Sequence, residues 1–120
     1  MMRCLILLTA ILALGAPALA EPVPPAQRPA LLDLANALGE AHGIHKRCNT
    51  ADGKWRAQMK DIVLREGDKS PFAGQLRLRF NTGYRDSQAK FASCTYDALS
   101  ADAAAAVRVS DQLKRLKAPN

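Results

Sequence analysis

Aromatic side chains are scarce in this chain: one Trp, two Tyr and three Phe among 120 residues. A core claims most of them, which leaves too few for the ring platforms of a sugar-cleaving cleft. Glu66 with Asp61 or Asp68 is therefore a poor glycosidase pair, although paired carboxylates are what that chemistry requires. Histidine is scarcer still. His42 and His45 stand three apart in HGIH, which lacks the HExxH form, and no further ligands cluster at metal spacing. They read as surface or half-buried side chains whose protonation would make local packing sensitive to mild acid. There is no CxxC, no Gly-rich phosphate cradle and no Ser-His-Asp arrangement, so no cofactor is implied. The basic residues are dispersed. Without an Arg/Lys run there is no phosphate-tracking stripe, and nucleic acid is excluded as a partner.

Long apolar runs are also missing, except at the start. MMRCLILLTAILALGAPALA has a basic n-region at Arg3, an apolar stretch from Cys4 to Leu14, and Ala18-Leu19-Ala20 ahead of Glu21. That pattern is a secretory signal peptide over residues 1–20, cut after Ala20, and it places the mature chain in the periplasm. The apolar stretch is too short for a comfortable membrane span, so no transmembrane segment is retained. Without Arg3, sixteen basic residues face eleven acidic ones. Such a balance favours anionic partners: an acidic envelope protein, a wall polymer or an anionic lipid surface.

Two cysteines remain, Cys48 and Cys94, in a chain bound for an oxidising compartment, and a disulfide between them is the expected outcome. Closing so long a loop stabilises a fold by about 4 kcal/mol on the chain-entropy estimate.

EPVPPAQRP, residues 21–29, holds four of the seven prolines and reads as an extended leader. A single domain of residues 30–118 follows. Pro29 opens a first helix with Leu31, Leu34, Leu38 and Ala41 on one face. Gly39 and Gly43 weaken that helix, which ends between Ile44 and Cys48. Asp52 is a plausible N-cap for a second helix, in which Trp55, Met59, Ile62, Val63 and Glu66 share a face. Trp55 therefore reads as core. Gly67-Asp68-Lys69 ends this helix and Ser70-Pro71 begins the third.

QLRLRF alternates like a strand, yet Phe72, Leu76 and Phe80 keep a period of four and no second strand is available, so helix is favoured. Asn81-Thr82-Gly83 is either a turn or an irregularity in a longer helix. Gly83 serves either close packing or a left-handed turn. Beyond it Tyr84, Gln88, Phe91 and Cys94 or Thr95 share a face, which puts Cys94 inside a helix. Ser100 caps the last helix, whose inner stripe is Ala103, Ala106, Val109, Leu113 and Leu116. The fold class is all-α, a bundle of four or five helices braced by one disulfide.

Tyr84 and Arg85, in FNTGYR, are the candidate interaction surface. The ring can stack on an apolar or sugar group while the guanidinium pairs with a carboxylate or phosphate. The competing reading makes Tyr84 a core anchor whose hydroxyl reaches the edge, and Arg85 either a solvated helix residue or one paired to Asp86 or Asp61.

LLDLANALGEAHGIHKRC, WRAQM with a glutamate at 66, FNTGYR and SCTYDA together resemble a small uncharacterised family of exported alphaproteobacterial proteins. The likeness covers nearly all of the mature chain. It implies a compartment and a domain type, and brings no catalytic residues. A looser analogy, of architecture alone, is with small periplasmic acid-stress chaperones, which are helical and disulfide-stapled. The function expected is therefore binding by an exported envelope accessory protein. A periplasmic chaperone is the first alternative and a small cell-wall-acting enzyme the second.

Overall fold

A computed structural model describes residues 21–48 and 53–117. The proposed signal segment 1–20, the proposed cap Asp52 and the proposed domain's last residue Ala118 lie outside the described residues. A 3-10 turn at Pro25–Gln27 leads into four α-helices: α1 Arg28–Cys48, α2 Lys54–Glu66, α3 Pro71–Lys90 and α4 Tyr96–Lys117. The all-α bundle and its disulfide are as the sequence indicated. The proline-rich leader is less extended than expected, since it turns at Pro25 and is helical from Arg28.

α1 is the central element, packed against each of the other three helices. That position explains its composition. Leu31, Leu34, Ala35, Ala37, Leu38, Ala41 and Ile44 are all buried, more than one face of a surface helix would need. Each of the larger side chains contributes about 1.5–3 kcal/mol by leaving water.

α3 runs parallel to α1. Asn36 Nδ2 donates to the Arg79 carbonyl, Gln88 Nε2 to the Gly43 carbonyl and Arg47 Nε to the Phe91 carbonyl, at near-constant sequence offset. Between these bonds the two backbones touch. A Cβ on Gly39 would overlap the Phe80 carbonyl, and one on Gly83 would overlap the Asn36 carbonyl. Gly83 thus serves close packing, and α3 passes through Asn81-Thr82-Gly83 without a turn. The glycines that weaken α1 locally are what allow its tightest contact.

The ends of α2 and α3 follow local chemistry. Gly67 closes α2 at φ +94°, and the Ser70 hydroxyl accepts the Ala73 N–H at 3.1 Å, ahead of Pro71. α2 buries Met59, Ile62, Val63 and Glu66, leaning more on α1 than on α3.

Three expectations for the C-terminal part need correction. Cys94 is not helical: α3 stops at Lys90, and Arg47 holds the Gln88 and Phe91 carbonyls as the chain leaves the helix. The Cys48–Cys94 disulfide, with Cα atoms 4.7 Å apart, thus ties the end of α1 to the α3–α4 loop. Ser100 does not cap α4 either. Thr95 does, its hydroxyl accepting the Ala98 N–H at 3.2 Å. The inner stripe shifts accordingly to Ala98, Ala105 and Val109, with Leu113 and Leu116 partly buried, while Ala103 is exposed. α4 runs antiparallel to α1, with Arg108 paired to Glu40 and His45 to Asp102.

Candidate functional site

Because α2 leans on α1, a cleft of about 740 Å³ opens between α2 and α3. One bank is a row of α2 residues four apart, Arg56, Lys60 and Leu64, that the buried stripe leaves to the side. The other bank is Arg77, Phe80 and Asn81 of α3. Met59 and Val63 supply an apolar floor with Phe80. At one end Arg77 pairs with Asp68 and also donates to its carbonyl at 2.8 Å. Arg56 and Lys60 form no ion pair among the described residues, so this bank carries uncompensated positive charge over an apolar floor.

Tyr84 lies one turn beyond Phe80 on α3, outside the cleft lining. It is half-buried, its ring centroid 5.5 Å from that of His42, which also lies 5.8 Å from the Phe80 ring. Lys46 Nζ stands 5.8 Å over the Tyr84 ring, a cation–π arrangement. Arg85 turns the other way, exposed, its Nε donating to the Asn81 carbonyl at 3.4 Å. Neither Asp86 nor Asp61 pairs with it among the described residues. Tyr84 and Arg85 are thus adjacent in sequence but divergent in space: the ring belongs to the seam between α1 and α3, and the guanidinium to solvent.

Burial holds the His42 pKa below its ordinary value of 6.5, with Lys46, Arg56 and His45 adding to the effect in that order. His45 does not converge with it on a metal site. Its Nδ1 faces Asp102 at 3.6 Å, and no group of three or more potential ligands occurs among the described residues.

The carboxylates do not converge either. Glu66 is buried, and both of its oxygens accept the Val23 N–H at 3.1 Å, while Arg65 Nε lies 3.2 Å from Oε2. It anchors the leader to the end of α2. Asp61 is exposed, and Asp68 is engaged by Arg77. Trp55 is half-buried against the core, with Lys54 Nζ 4.7 Å over its ring. It faces the second half of α4 across a crevice of about 300 Å³ and does not line the larger cleft.

Sequence reasoning missed Arg56, Lys60 and Leu64. Their four-residue spacing is present, but only the angle between α2 and α3 makes that row the wall of a cleft. No helix among the described residues is long and apolar enough to cross a membrane. No curated protein and no solved structure matches the chain. Residues 27–117, from the leader's turn to the end of α4, match the family described as protein of unknown function (DUF2385), and the chain belongs to that family.

Proposed function

We propose that this protein is an exported, non-catalytic binding or accessory protein of the cell envelope, and that it holds an acidic partner in the cleft between α2 and α3. The observation that carries this reading is the cleft itself: an apolar floor beside the unpaired cations Arg56 and Lys60. Its titratable groups are three cations and Asp68, which Arg77 already engages. That composition suits charge complementarity toward a carboxylate-bearing ligand better than proton transfer between an acid and a base. Export rests on the N-terminal pattern of residues 1–20, and the resemblance to exported alphaproteobacterial proteins supports it. Arg85 adds an exposed guanidinium one turn beyond Asn81 of the cleft wall, while the Tyr84 ring stays in the seam between α1 and α3.

The test is titration of the protein with a fluorescent peptide of alternating glutamate and leucine blocks, beside anionic lipid vesicles and soluble wall fragments. Capture of the peptide, weakened by added salt and lost in Arg56→Glu/Lys60→Glu, is expected. Arg85→Ala lowers capture while leaving the melting temperature unchanged. Equal capture of all three ligand types, or none, rules the reading out.

A second reading, a chaperone-like stress protein, draws on His42. Its neutral ring is wedged between Phe80 and Tyr84 in the seam, so acidification would loosen α1 from α3. It requires that mild acid expose apolar surface and suppress aggregation of unrelated proteins.

A further inference from the structure

Five large apolar side chains stand exposed among the described residues, and their distribution is uneven. Leu64, 58% exposed, is on the α2 bank of the cleft, and Leu78, 61% exposed, follows Arg77 on α3 without lining the cleft. The other three are on α4: Tyr96 at 82%, Leu99 at 53% and Val107 at 61%. With Ala103, also exposed, these α4 residues recur at steps of three and four and so form one ridge. The ridge points away from Ala98, Ala105 and Val109, which seat α4 on α1. A contiguous apolar ridge on a charged protein marks a contact surface.

The ridge has acidic shoulders. Asp97 and Asp111 are exposed and form no ion pair among the described residues. The one basic residue between them, Arg108, is turned to Glu40. An apolar ridge with free carboxylates and an apolar cleft with free cations are thus displayed by the same chain on different helices. α4 cannot fill its own cleft without unseating Ala98, Ala105 and Val109 from α1, so the match can be made only between molecules.

We infer that the cleft of one copy takes the outer face of α4 from a second copy of this chain. This rests on the reading of the cleft as a binding site and names its occupant. The contact joins two different surfaces, so it closes as a two-fold exchange or as a ring, or else extends as a filament. The net positive charge of the chain opposes indiscriminate self-association, which makes local pairing of Arg56 and Lys60 with Asp97 and Asp111 the attractive electrostatic element. The recessed floor is out of reach of a flat bilayer. Phe80 is the one ring in its lining, which leaves a wall polymer a single stacking platform.

The experiment is sedimentation velocity at low salt on the wild type and two charge-reversed proteins, with circular dichroism confirming their fold. Arg56→Glu/Lys60→Glu gives an acidic cleft facing an acidic ridge, and Asp97→Lys/Asp111→Lys gives a basic cleft facing a basic ridge. The wild type is expected to associate, and each variant alone to need at least about tenfold higher concentration. An equimolar mixture of the two variants restores association, because each cleft then meets a ridge of opposite sign. A monomeric wild type, association indifferent to both variants, or a mixture that fails to restore it, overturns the inference. The glutamate–leucine peptide separates the two levels of argument. A monomeric wild type that still takes the peptide at Arg56 and Lys60 overturns the second copy and leaves the cleft as a binding site, whereas failure of both removes both.

Discussion

The two sides of α3 make opposite use of helix packing. Toward α1 its backbone is in direct contact, glycine against carbonyl, with Gln88 and Arg47 bonding across the seam. Toward α2 it stands off, and the gap is walled by long cationic side chains over an apolar floor. The first side leaves no room for a ligand and the second leaves about 740 Å³. A small domain with one core concentrates its packing in one seam, and the helix that crosses back between the paired helices is free to present a surface. The contrast assigns architecture to the seam and supports the recognition proposed for the cleft.

The largest expected effect comes from filling the seam. Gly83→Leu should cost more than about 3 kcal/mol, because the obstructing atoms are backbone and cannot swing aside. Its thermal midpoint should fall by more than about 10 °C. Gly74, on the same helix with nothing near its would-be Cβ, provides the contrast. Gly74→Ala should stabilise by about 0.5–1 kcal/mol in the same denaturation series.

Removing the brace ranks next. Cys48→Ser with Cys94→Ser should lose about 3–4 kcal/mol by chemical denaturation, and a thiol titration of the oxidised wild type should find neither cysteine free.

A pH series tests the seam more gently. Folded His42 binds a proton less readily than the unfolded residue, so its contribution is complete above pH 6.5 and is lost as pH falls through the lower folded value. Stability measured between pH 7 and pH 5 should therefore decline, and His42→Gln should flatten that decline. The smallest effect on folding belongs to the cleft. Arg56→Ala/Lys60→Ala should change stability by less than about 0.5 kcal/mol, yet weaken peptide capture at low salt.

Much of this architecture is legible in the sequence because it is written locally. Gly67 and Ser70-Pro71 punctuate α2 and α3, and the Phe72–Leu76–Phe80 period outweighs the alternation of QLRLRF. What escapes is non-local. Asn81-Thr82-Gly83 resembles a turn because all three are poor helix formers, and only the approach of α1 explains a glycine within a continuous helix. Cys94 reads as helical because the Tyr84–Gln88–Phe91 row extrapolates to it, but an arginine 41 to 44 residues earlier takes the carbonyls at the helix end. The alanine run of α4 carries no period to set its inner face, so spacing selects Ala103 and Ala106 where the fold buries Ala105. Tyr84 is half-buried in the seam against His42 and Lys46, a placement its spacing alone leaves open. The cleft is unreadable, because spacing along α2 says which residues share a row and nothing about how far α3 stands from it.

The measurement that tests the account most directly is hydrogen exchange followed by mass spectrometry, with and without the glutamate–leucine peptide. The α1–α3 seam amides should be slow in both samples, and added protection should fall on residues 53–64 and 77–84. Protection spread over the seam, or confined to segments outside those two, would contradict the division of labour proposed for the two sides of α3.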